Sequence, residues 1–255
     1  MSNELHKTNR YRQTRRLEEY SFGRQFLHVL QLRRQWNDEW LCESKAPRSG
    51  QTIVGIGGAS LYWHDVKSYL RPNALRSYKI ASDGTNKVTF LKYPDGKIFD
   101  AVVLEDSSQG PIHPELKELF RESARKHCQD IRAAGARPFF MMTWAYKDKP
   151  EMTRLLADAT IEVANENSAS VIPCGLAFER SQRDFPEIEL IRSDNRHPTV
   201  AGTYLEAAVF FASLTGIAPT DCDFYGRFDD LVVTPETGKK LQQAAWGTVN
   251  EFNNW

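Results

Sequence analysis

The sequence predicts an α/β fold, a three-layer α/β/α sandwich built on a mainly parallel sheet. Apolar runs at 52–57, 100–104, 137–143 and 169–173 lack the polar alternation of a half-exposed strand and read as strands buried on both faces. Between and after them, 62–70, 114–134, 151–166, 199–215 and 235–252 carry helical periodicity. A β-α-β rhythm of this kind builds a sheet with helices on either side. In such sheets ligands bind beyond the carboxyl ends of the strands.

Residues 1–16 are polar, with Lys7, Arg10, Arg12, Arg15 and Arg16 against Glu4, and form a solvated basic arm. Over 17–41, Phe22, Phe26, Leu30, Trp36 and Trp40 recur at roughly helical spacing. That pattern predicts an amphipathic helix, packed on the main domain, on a second copy or on a partner. The stretch SKAPRSG at 44–50 ends it. The division expected is therefore 1–49, arm and helix, and 50–255, the α/β domain. Within that domain Leu116, Leu119, Phe120, Ala124, Cys128 and Ile131 line one helix face, and Gly135 stands as a stop. The helix that begins after Pro198 turns Tyr204, Leu205, Ala208, Phe211 and Leu214 inward and ends at Gly216.

A chain of 255 residues, 41% of them hydrophobic, can bury one large core. Lys plus Arg and Asp plus Glu total 33 each, so no global field draws the protein to nucleic acid or an anionic membrane. The first residues contain no apolar signal core, and no apolar run matches a bilayer span. A cytoplasmic protein is the expectation. Cys42, Cys128, Cys174 and Cys222 form no C-x-x-C pair, so neither a zinc site nor a disulfide framework is indicated. No metal or organic cofactor is implied.

Two loops carry the chemistry. In TIVGIGGASLYWHDVKSYL, 52–70, a strand runs into glycines and then Ser60. The glycines permit a tight turn, and a following helix aims its first amides at the serine. That geometry suits a nucleophile, and equally an ordinary N-cap. In SDNRHPTVAG, 193–202, Asp194 and His197 stand three apart. A carboxylate can there orient an imidazole as a general base, although a bare D-x-x-H also serves as a plain turn. His64 reads as a pocket wall, and His113 as part of a helix start. The neighbours Glu105 and Asp106 lack the His or Cys that would complete a metal set, and one of them is expected to be structural. Trp144 ends a strand, where its ring can stack on a sugar or form a hydrophobic rim.

In their order and separation, GGASLYWHDV, DAVVLEDSSQGP, PFFMMTWAY and DNRHPTVAGTYLEAAVFF resemble the SGNH-hydrolase superfamily, the GDSL-type esterases, over roughly residues 50 to 250. TGKKLQQAAWGTV resembles the closing helix of one bacterial subgroup. The resemblance implies a flavodoxin-like sheet, Ser60 as nucleophile, His197 as base and Asp194 as its orienter. It implies an oxyanion hole from the Ser60 amide, Gly84 and Gln109, with Gln109 standing where these enzymes have Asn. Ala59 replaces the acidic residue of G-D-S-L. The activity implied is a serine esterase acting on a small or carbohydrate-linked O-acyl ester through an acyl-enzyme, with His64 and Trp144 lining the substrate site. Two alternatives stay open: an O-acyltransferase using the same triad, and a binding module that uses the cleft without catalysis.

Overall fold

The computed structural model describes residues 24–30, 49–56, 59–79, 87–90, 99–226 and 232–253. Among these residues the main sheet has five strands, in the order β2-β1-β5-β6-β7. They are β1 (Arg24–Leu30), β2 (Ser49–Gly55), β5 (Ala101–Leu104), β6 (Arg137–Met141) and β7 (Ser170–Ile172), and every pairing is parallel. Between β2 and β5 the chain forms an antiparallel hairpin of its own, β3 (Arg76–Lys79) with β4 (Lys87–Phe90). With the hairpin set aside, the order is 2-1-3-4-5, the flavodoxin-like doubly wound pattern.

The layers follow from alternation along the strands. On β5, Ala101 and Val103 face one core, which they share with α4 (Cys174–Asp184), α5 (Val200–Thr215) and α6 (Pro235–Asn253). Val102 and Leu104 face the other, shared with α1 (Val66–Tyr69), α2 (Lys117–Ala133) and α3 (Met152–Glu166). Both faces of the strand are covered, which is why its sequence has no polar alternation. Each fully buried Leu, Ile or Phe of these cores contributes roughly 1.5–3 kcal/mol. The two expected helix stops adopt left-handed backbone, Gly135 at φ 79° and Gly216 at φ 71°.

Three differences from the sequence reading have physical causes. The amphipathic helix expected over 17–41 is, at Arg24–Leu30, the strand β1, hydrogen-bonded between β2 and β5. Phe26 and Leu30 fit a helical stripe, but Leu27 and Val29 fill the positions between them. The resulting FLHVL is the short apolar run of a strand with neighbours on both sides. Residues 24–30 thus belong to the sheet; residues 1–23, with the basic arm, and 31–48, with Trp36 and Trp40, lie outside the described residues. The helix expected over 62–70 is broken into a 3-10 turn, Leu61–Trp63, and the single turn α1. Finally, α4 was not expected. Its stripe Cys174, Ala177, Phe178 and Ser181 is buried, and Gly175 makes the approach possible, since a Cβ there would lie 2.2 Å from the Thr143 carbonyl oxygen at the end of β6.

Candidate functional site

Ser60 follows β2, Gln109 follows β5 and Trp144 follows β6, each past the carboxyl end of its strand. Ser60 follows β2 in extended backbone, as N-cap of the 3-10 turn, without capping it through its side chain. It is 8% exposed. Its Oγ lies 3.1 Å from Ser107 Oγ, beside the buried Asp106 carboxylate. Asp106 Oδ1 also accepts from the Leu61 N–H at 2.9 Å and from the Ser107 N–H at 2.7 Å. Asp106 is thus the structural member of the pair of adjacent carboxylates, stapling the Ser60 turn to the end of β5. Burial raises its pKa, against the opposing pull of the hydrogen bonds from Leu61 and Ser107. The loop closes tightly on it, for a Cβ on Gly110 would lie 2.4 Å from the Asp106 Oδ2.

The staple has a second half. His127, on the inner face of α2, places Nε2 3.3 Å from the Leu61 carbonyl oxygen, so the residue after Ser60 is gripped at both its N–H and its C=O. Spacing on α2 carries that signal, because Phe120, Ala124, His127, Cys128 and Ile131 form one buried stripe. His64 lies inside as well. Its Nδ1 is 3.4 Å from the Tyr69 hydroxyl, and its Nε2 is buried without a hydrogen bond. It is a core histidine, not a pocket wall. Burial lowers the pKa of both imidazoles.

Asp194 and His197 form the expected pair. His197 Nδ1 lies 2.7 Å from Asp194 Oδ2, while Asp194 Oδ1 accepts from the N–H groups of Arg196 and His197, each at 2.9 Å. Those two N–H groups, and then the imidazole, hold the Asp194 carboxyl well below the usual carboxylate range. With Nδ1–H donating to the carboxylate, Nε2 carries the lone pair and can accept a proton. His197 is 63% exposed. The turn is tied back by the Arg192 N–H on the His197 carbonyl at 2.8 Å and the Thr199 N–H on the Leu190 carbonyl at 2.9 Å. Its sharp corner is Asn195, at φ 63°, a conformation asparagine tolerates.

The structure does not join the two halves by a hydrogen bond. Ser60 bonds to Ser107, and His197 to Asp194; among the described residues no bond connects Ser60 with His197. Gln109 makes no hydrogen bond with Ser60. Its side-chain nitrogen lies 4.0 Å from Met152 Sδ at the start of α3, and its carbonyl accepts from the Ile112 and His113 N–H groups. Gly84, the other oxyanion candidate, lies outside the described residues. Trp144 is 2% exposed and stacked on Phe178 at 4.4 Å and 4°, so it offers no face to a sugar. His113 Nδ1 accepts from the Glu115 N–H just before α2, which places it in a helix start. Among the described residues no group of three or more His, Cys, Asp or Glu could hold a metal ion, and no helix is long and apolar enough to cross a membrane. Burial pushes the Cys128 thiol up to about 12, which keeps it protonated.

No protein-family model matches the chain, and none of the curated proteins matches it. Solved structures do. A DUF4886 family protein from Bacteroides uniformis superposes with a TM-score of 0.60 at 19% identity, over 89% of this chain and 95% of its own. A protein from Slackia heliotrinireducens, provisionally assigned as an SGNH hydrolase, gives 0.51 at 18% identity, over 75% of this chain and 99% of its own. TesA gives 0.51 at 12% identity, over 76% and 99%. The strand order, the loops at the carboxyl ends and these likenesses make this an SGNH-hydrolase-like fold.

Proposed function

We propose that the protein is a serine esterase that cleaves a small or carbohydrate-linked O-acyl ester. The observation that carries this reading is the Asp194–His197 pair, with Nδ1 committed to the carboxylate at 2.7 Å and Nε2 free to act as a base on a fold that hosts hydrolases. Ser60 is the nucleophile in this scheme. Its hydroxyl leaves Ser107 and donates to His197 Nε2, the oxygen attacks the ester carbonyl, and the imidazolium returns the proton to the departing alcohol. Water then enters and gives a proton to His197 as its oxygen attacks the acyl carbonyl; the Ser60 Oγ–acyl bond breaks, the imidazolium returns the proton to Ser60, and the acid leaves. The exposed ring pair beside Ser60, Tyr62 and Trp63, meets edge-to-face at 6.1 Å. It gives the alcohol or sugar an aromatic surface in place of the buried Trp144.

A fluorophosphonate probe tests this. It should label the folded protein once, on Ser60, and His197→Ala should suppress the labelling. Label on another serine, or none on the folded protein, overturns the esterase reading.

Two observations favour a second reading, a binding module that uses the same cleft without acylation. The Ser60 hydroxyl is engaged by Ser107, and Ser60 follows β2, whereas the reversal of strand order falls between β1 and β5, where ligands of doubly wound sheets sit. An unlabelled protein that is nonetheless stabilised against heat by acetylated oligosaccharides would establish that alternative.

A further inference from the structure

Asp194 can orient His197 only if the carboxylate itself is held, and two successive peptide groups hold it. The peptide between Asn195 and Arg196 donates its N–H to Asp194 Oδ1, while its C=O accepts from the Lys147 N–H at 3.0 Å. The peptide between Arg196 and His197 also donates its N–H to Oδ1, and its C=O accepts from the Trp144 indole Nε1–H at 3.0 Å. Each peptide is pinned at both ends. Because the unit is planar and trans, its C=O and N–H point in opposite directions and rotate together. Whatever fixes the carbonyl therefore fixes the direction of the N–H.

Both clamps come from the segment after β6. The Lys147 N–H is backbone and available to any residue except proline. The indole N–H is a property of tryptophan. The rest of the ring is sandwiched in the core against Phe178, which reaches it because Gly175 lets α4 pack on the Thr143 carbonyl. A ring 2% exposed in a parallel stack has little freedom to turn, so its single N–H is aimed by the core. Packing alone would be served by phenylalanine. The Arg196 guanidinium, 5.0 Å over the Tyr146 ring, ties the same loop to the same segment from outside.

We propose that Trp144 is a positioning residue for His197. By holding the Arg196 carbonyl it fixes the peptide whose N–H orients Asp194, and through Asp194 the imidazole. This rests on the reading of His197 as the base, but its test does not require ester cleavage. In Trp144→Phe the stack on Phe178 is kept and the N–H is lost. Nuclear magnetic resonance on the ¹⁵N-labelled protein should then show the His197 amide proton exchanging about five- to tenfold faster, the effect of one lost hydrogen bond. The downfield His197 Nδ1–H signal should broaden away. The Asn195 amide, which donates to the Arg192 carbonyl outside the clamped peptides, should exchange as before. If Trp144→Phe does not fold, benzothienylalanine at position 144 keeps the ring shape and removes the N–H.

Unchanged His197 exchange and an intact Nδ1–H signal in a folded variant overturn the proposal. So does equal acceleration at Asn195, which would mean general loosening. A variant that behaves as expected, in a protein whose wild type neither cleaves esters nor takes up the fluorophosphonate, supports the positioning role and refutes only the esterase reading.

Discussion

Replacing Gly202 by alanine tests how the His197 loop is seated. Gly202 lies in the first turn of α5, where its N–H donates to the Thr199 capping hydroxyl at 3.1 Å. A Cβ at this position would lie 2.2 Å from the Leu190 carbonyl oxygen and 3.1 Å from Pro198 Cβ. The first distance is roughly 1.2 Å inside the 3.4 Å at which ordinary contact begins; the first neighbour is backbone and the second belongs to the fixed ring of a proline. The Leu190 carbonyl cannot simply swing away, because it accepts from the Thr199 N–H, and Ile191 bridges to Pro198 beside it. A contact this short belongs at the upper end of the cost of overpacking, about 2–3 kcal/mol. Alanine's better helix propensity returns at most about 1 kcal/mol. A net loss of about 1–2 kcal/mol should lower Tm by roughly 2–8 °C for a domain of this size. Relief of the clash moves the segment 190–198 against α5 on the scale of 1 Å, and a shift of that size can cost about a hundredfold in a positioned reaction. Thermal melting followed by circular dichroism, with the rate of fluorophosphonate labelling on the same sample, measures both effects. A variant that melts at or above the wild-type temperature refutes the close approach and, with it, the seating of the loop described above.

Asp194→Asn keeps an oxygen for the Arg196 and His197 N–H groups but places an amide against Nδ1, forcing the proton to Nε2 and removing the base. Labelling of Ser60 should slow by roughly three to four orders of magnitude with Tm little changed; labelling within tenfold of wild type would remove Asp194 from the site. The buried imidazoles predict a sign for acid stability. Burial lowers the folded-state pKa of His64 and His127 from 6.5, so the unfolded chain binds protons first and stability, complete above pH 6.5, falls as the pH drops below it. The slope is at most about 1.4 kcal/mol per pH unit for each histidine. Asp106, with a raised pKa, acts in the opposite sense, and its protonation on acidification offsets part of the loss. Urea titrations between pH 7.5 and 5 should show the fall, and His127→Gln should flatten it; a profile the substitution does not alter would take His127 out of the account.

What the sequence determined by itself is what short-range chemistry controls. The Asp194–His197 pair needs only three residues and a turn, so D-x-x-H was legible as a carboxylate and an imidazole in contact. The strands β5, β6 and β7, the helices α2, α3, α5 and α6, and the stops at Gly135 and Gly216 were legible too, because periodicity and left-handed backbone are local properties. Tertiary structure decided the rest. FLHVL became a strand because β2 and β5 offer hydrogen bonds on both its sides, a partnership made by residues far along the chain. Trp144 finds its stacking partner 34 positions later, at Phe178, and its carbonyl 52 positions away, at Arg196. The hydroxyl of Ser60 is claimed from 47 positions on, by Ser107, and the turn that carries it is held by His127 from 66. A glycine-serine bend announces an exposed hydroxyl, but only the packed loops choose its partner. Nothing in the local spacing of Gln109 distinguishes an oxyanion donor from an amide turned to Met152, since that choice depends on where α3 begins. Local spacing sets which groups can meet within a turn, whereas burial and long-range hydrogen bonds decide which of them face the cleft.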